Sequence, residues 1–337
     1  MSDRLTYSAP TRSQEWPLLF PLLMLVLAAV AMIPFKQMEQ GLPHTLRLGR
    51  DGFSLPMDTL ALLLLLAQSG LLLRKTLHEK SSASLLSFAS ICGMGIPFLF
   101  LLGFLDIIQS PFFNLAGAAL MISGWTFVLY AANAKLIWTV ASGLTLGLAC
   151  SFSPVCMSGA IALLFYLLLE KGQKPVEKLR LILLWLAAWV CGFIPALNGS
   201  IPLPLYERSV FSQEFMLAGL QFMWGNIPVW AWCFAALGLL IAILQRQSIL
   251  LRLLLPYLVL RVLLAGFSPL EFWGIESTLL IPLAWLTAYG MLRVLRGIEQ
   301  GVRNLHPEQA KKVPWIATFA FLAGFTFKII DLYYFYS

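Results

Sequence analysis

The chain has 337 residues, 59% of them hydrophobic and 12% charged, with a formal net charge of +7. Soluble domains carry roughly a quarter of charged residues, so a soluble globular fold is excluded, and a mean hydropathy of +0.82 asks for hydrocarbon as solvent. Connections between the apolar runs are too short to hold an appended soluble catalytic domain, so any chemistry belongs to the helices and their loops.

The apolar runs are continuous and lack the alternation of a membrane β-barrel strand. They predict an all-α polytopic membrane protein, a single integral membrane domain over 1–337. After a tail at 1–16, the first predicted span is 17–35. It reads as a retained helix, because the long segment ahead of it, with Glu15, makes a poor leader. An external loop at 36–54 precedes spans at 55–73, 84–105 and 112–131.

The run from 136 to 169 is broken by Ser151-Phe152-Ser153-Pro154. Each half has about 15 residues, or roughly 22 Å of helix against a hydrocarbon core about 30 Å thick. Two short spans or a re-entrant hairpin both fit, so the expectation is eleven crossings, or nine plus a hairpin.

Next come a span at 181–198 and an external loop at 199–227 that carries an interfacial helix near 213–224. Gly225-Asn226-Ile227-Pro228 interrupts that stretch, since proline removes a backbone donor and glycine weakens helix. Spans at 228–245, 252–267, 277–295 and 314–335 follow, with a cytoplasmic loop at 296–313.

Cations set the orientation. With the N-terminus inside, 17 of the 23 Lys and Arg fall on the cytoplasmic face, four fall outside, and two, Arg261 and Lys328, lie within spans. This predicts N-terminus in and C-terminus out, in a membrane of the bacterial cytoplasmic (inner) type. The positive charge is then a topology signal and a match to anionic headgroups, with membrane lipids as partners and no nucleic acid.

The reactive groups narrow the chemistry further. The three histidines, His44, His78 and His306, all lie in polar connections, so intramembrane haem ligation has no axial histidine. No CxxC pair and no His-carboxylate cluster occurs, and neither a metal nor another cofactor is expected. The five cysteines read as small buried hydrophobes. Cys150 and Cys156 alone flank a helix break.

Arg261 lies nine residues from Arg252, about 13.5 Å into the membrane, and guanidinium does not readily lose its charge. An intramembrane ionisable residue is a functional candidate. Lys328 sits about 21 Å above Pro314, either paired with Asp331 on the same helical face or facing a cavity with Arg261. The carboxylates Asp58, Asp106, Glu276 and Asp331 fall at outer helix ends. Gly143 and Gly147 form a face suited to close helix packing.

After Pro154, a half-helix would begin with free N–H groups that favour anions, with Ser151, Ser153 and Ser158 adding hydroxyls. Combined with Arg261 and Lys328, these residues form the candidate substrate site, with Pro154, Gly225 and Pro228 as candidate gating positions. The reading they support is a transporter or translocase for an anionic solute or an anionic lipid headgroup. Two alternatives stand beside it. One is a non-catalytic subunit or assembly factor of a membrane complex with protein partners. The other is an outward-facing enzyme acting on a lipid-linked substrate, with Cys156 as its nucleophile or with Arg47, Arg50 and Asp51 of the first external loop.

Overall fold

The computed structural model describes residues 21–30, 55–77, 82–102, 111–130, 135–169, 174–198, 212–214, 217, 221, 224–225, 227–246, 249–265 and 277–336. The N-terminal tail, the loop at 36–54, most of the loop at 199–227, and Asp106 and Glu276 lie outside them. Every regular element among the described residues is helical.

In chain order these are α1 (Pro21–Val30), α2 (Leu55–Lys75), α3 (Ala83–Leu102), α4 (Pro111–Tyr130), α5 (Lys135–Phe152), α6 (Met157–Leu169), α7 (Pro175–Leu197), α8 (Val229–Leu244), α9 (Leu255–Ala265), α10 (Ser277–Leu305), the one-turn α11 (Pro307–Ala310) and α12 (Val313–Tyr336). A 3-10 turn, Pro154–Cys156, separates α5 from α6, and a π turn, Leu250–Leu254, leads into α9.

Two helices run further than their apolar content predicts. α7 starts at Pro175, where proline at the first helical position loses no hydrogen bond. α10 continues past the predicted end of its span to Leu305, because its last turns pair charges along their own surface, as in the Glu299–Arg303 ion pair at 2.5 Å.

Three segments, Ala83–Phe100, Pro175–Leu197 and Pro307–Asp331, are long and apolar enough to cross a membrane. They differ in surroundings: residues of the first are 83% buried within the protein, those of the second 22% and those of the third 28%. α3 is thus a central helix, while α7 and α12 lie at the perimeter. α7 turns an unbroken stripe outward, Val176, Leu179, Leu183, Leu186, Val190, Ile194 and Leu197, spaced three and four residues apart. Its opposite face, Trp185, Ala188, Gly192 and Ala196, is buried. An exposed aliphatic stripe of this length is stable against lipid tails and unstable against water. The architecture fits an α-helical integral membrane protein.

Glycine makes two close helix crossings. On α5, a Cβ at Gly143 would stand 2.5 Å from Trp185 O of α7, and one at Gly147 would overlap Trp189 O. Between α8 and α10, Gly238 lies under Leu286 O and Gly290 under Phe234 O, again without room for a Cβ. Backbones that touch in this way gain van der Waals packing, which is what joins helices in lipid. Side chains stitch the same seams: Trp185 Nε1 donates to Ser142 Oγ at 3.3 Å, and Thr287 Oγ1 donates across to Ala231 O at 3.1 Å.

Candidate functional site

The site forms where α5 gives way to α6. Ser153 N–H donates to Ala149 O at 2.9 Å, carrying the α-helical ladder one residue past α5, and Cys156 N–H donates to Ser153 O at 2.9 Å to close the 3-10 turn. Pro154 enforces the change, since it has no N–H and its ring blocks a continuous helix.

The three serines of the break are all buried. Ser151 Oγ donates to Gly147 O at 3.2 Å and lies 3.3 Å from Gly192 O of α7. Ser158 Oγ donates to Val155 O at 2.7 Å. Ser153 Oγ makes no hydrogen bond of ordinary geometry, and its polar neighbour is the Cys156 thiol, a weak partner. Two of the three hydroxyls therefore satisfy themselves on main-chain carbonyls, as a buried hydroxyl in a low-dielectric setting must.

α4 lies directly over the turn: a Cβ at Gly117 would be 2.9 Å from Ser153 Cβ and 3.3 Å from Cys156 Sγ. One turn further along α6, Trp125 Nε1 of α4 donates to Gly159 O at 3.1 Å. The Trp125 ring meets Tyr257 of α9 edge-on at 5.2 Å and Trp285 of α10 at 5.9 Å. Tyr257 and Arg261 are four residues apart on α9 and share its buried face.

Arg261 has 3% of its surface exposed, and its guanidinium lies within Coulombic range of the Cys156 thiol, as does Cys150. It is engaged by its surroundings there. Cys150 has the indole of Trp189 of α7 as its polar neighbour, without a hydrogen bond of ordinary geometry. A permanent cation, two thiols and three serines thus share one buried region bounded by α4, α5, α6 and α9.

Lys328 is elsewhere. Its Nζ is 3.1 Å from Asp331 Oδ2, with the two side chains 53% and 68% exposed, on α12, which packs against α3 and α10. With Gly324, Phe327 and Ile330, the pair lines an open depression of about 670 Å³. The structure therefore brings Arg261 to the break and sets Lys328 on a different surface.

Of the gating positions, Pro154 begins the 3-10 turn and Pro228 caps the N-terminus of α8 in an extended conformation. Gly225 has open space around it, and Trp224 packs 5.4 Å from Trp232. α8 packs chiefly on α10, with α9 and its π turn between it and α6. Asp58 falls in the first turn of α2.

Sequence reasoning did not single out Trp125, Tyr257 or Trp285, an aromatic cluster that α4, α9 and α10 build beside the start of α6. Only Tyr257 left a signal, its position one turn from Arg261. Among the described residues no three His, Cys, Asp or Glu gather in a metal-binding arrangement. Comparison with protein-family models, with curated proteins and with solved structures returned no match.

Proposed function

We propose that this protein is a membrane transporter or translocase that handles an anionic solute or an anionic lipid headgroup, bound at Arg261 beside the α5–α6 break. One observation carries the reading: a guanidinium that keeps its charge is buried to 3% exposure next to an interrupted helix. The start of α6 adds oriented backbone dipoles of the same sign. Ser151 and Ser158 turn their hydroxyls onto carbonyls, so this is a closed state. Ligand would reach Arg261 when α4 and the 3-10 turn part. In this reading the chain crosses a bacterial cytoplasmic membrane eleven times, or nine times plus a hairpin, with its N-terminus inside and Lys328 outside the binding site.

Native mass spectrometry of protein extracted with its surrounding lipid tests this, because it assumes no substrate. An anionic ligand retained by the native chain and lost in Arg261→Ala, with the folded yield kept, is the expected result. Arg261→Ala protein that fails to fold, or that keeps the ligand, makes Arg261 structural and ends the proposal.

A second reading, a non-catalytic subunit of a membrane complex, draws on the outward stripe of α7. Stoichiometric recovery of a membrane protein partner after mild extraction, with no retained anion, would favour it.

A further inference from the structure

We propose a binding site for an anionic phospholipid in the groove between α6 and α9, separate from the buried Arg261. Two cations from different elements meet at the C-terminal end of α6: Lys178 Nζ of α7 donates to Leu168 O, and Arg252 NH1 of the π turn donates to Leu169 O at 3.3 Å. Pro256 accounts for the π turn, since its missing N–H leaves Arg252 O without an α-helical donor. Each cation is held by a carbonyl, so both are pre-positioned at the membrane surface. A guanidinium has five N–H donors and suits a phosphate in a way that one carbonyl bond does not exhaust. Lys174 and Arg180 are exposed beside them, and Glu177 is the described acid in that turn of α7.

Below the cations both walls are apolar and outward-facing. α6 contributes Ile161, Phe165 and Leu168, and α9 contributes Val259 and Leu263, on the same face as Arg252. In the proposed site these outward faces flank the seam along which α6 and α9 pack against each other. From Arg252 to Leu263 is eleven residues, about 16 Å of helix, the depth of one leaflet of a core about 30 Å thick. A phosphate at the top and acyl chains along the walls match the groove in charge and in length. A soluble anion would leave the walls unused, and a zwitterionic lipid would use the cations less fully. The charge distribution puts this end in the cytoplasmic leaflet, where anionic lipids are concentrated.

The test measures binding of phosphatidylglycerol and of phosphatidylcholine to the full chain by native mass spectrometry. Lys178→Gln with Arg252→Gln should weaken phosphatidylglycerol binding by about thirtyfold, each surface cation being worth about a factor of five. Phosphatidylcholine binding should not change. Lys311→Gln with Lys312→Gln, which removes the same charge from the α11–α12 turn, should leave phosphatidylglycerol binding intact. Equal loss in the Lys311/Lys312 pair, or unchanged phosphatidylglycerol binding in a folded Lys178/Arg252 variant, overturns the proposal. Should the Lys178/Arg252 variant not fold, the native chain is cross-linked to phosphatidylglycerol carrying a photoactivatable group in its acyl chain. Labelling concentrated in 161–168 and 259–263 supports the site, and labelling spread evenly around the perimeter refutes it.

Discussion

Arg261 and Lys328 are the two cations that the hydropathy pattern sets inside apolar helices, and the structure treats them in opposite ways. Arg261 is buried, with 3% of its surface exposed, whereas Lys328 projects from the perimeter and pairs with Asp331 one turn away. Height along a helix follows from counting residues. Azimuth, which decides whether a charge faces protein or lipid, depends on which neighbours pack against that helix. The two positions therefore differ in what their removal should do: one charge organises a buried region, and the other sits in a local, screened pair.

The largest expected effect comes from Arg261→Gln. If the cation binds ligand, retention of the anion falls at least tenfold while thermal unfolding in detergent changes little. If the cation only braces the break, stability falls instead by about 3–5 kcal/mol, the scale for breaking a buried charged contact, and the contrast with Lys328 becomes purely structural.

Next in size are the helix crossings that hold the Arg261 region in shape. Gly147→Leu, in the α5–α7 seam, and Gly290→Leu, in the α8–α10 seam, should each cost about 1–3 kcal/mol or more through overpacking. Gly324→Leu, where a Cβ meets nothing within 4 Å beside Lys328, should stay within about 0.5 kcal/mol. Melting temperatures of the three variants in one detergent check this. A stable Gly147→Leu protein would mean that the close crossing is not needed.

Trp125→Phe keeps the aromatic packing on Tyr257 and removes the donor to Gly159 O. It should cost about 1 kcal/mol, measured the same way, and loosen the hold of α4 on the first turn of α6. The smallest effect belongs to Lys328→Gln: an exposed pair three residues apart contributes about 0.5 kcal/mol or less. Anion retention should be unchanged. Loss of the retained anion in this variant would join the two cations in one site after all.

Much of the helical layout was legible before any coordinates. The break at Ser151–Pro154 carried its own signal, because proline cannot continue a helix and both halves are too short to span comfortably. Gly143 and Gly147 announced a close crossing by their spacing, though not that Trp185, Trp189 and Gly192 would supply the opposing backbone. The serines were visible as hydroxyls near a helix start. Whether those hydroxyls point to a ligand or to carbonyls is a question of local geometry, and Ser151 and Ser158 answer it with the carbonyls of Gly147 and Val155. Trp125 was hidden because an indole in an apolar run has the same hydropathy pattern whether it faces lipid or donates to Gly159 O.

Composition and periodicity determined by themselves that this chain is helical and apolar enough to fit a membrane, and roughly where its helices start and stop, because those properties depend on residues near one another along the chain. Only the tertiary structure decided that Arg261 joins Cys156 at the break, that Lys328 does not, and that Lys178 and Arg252 meet at the end of α6. Such meetings depend on how helices distant in sequence rotate and cross. In this fold glycines that admit a facing backbone, together with the hydrogen bonds that follow, set that geometry.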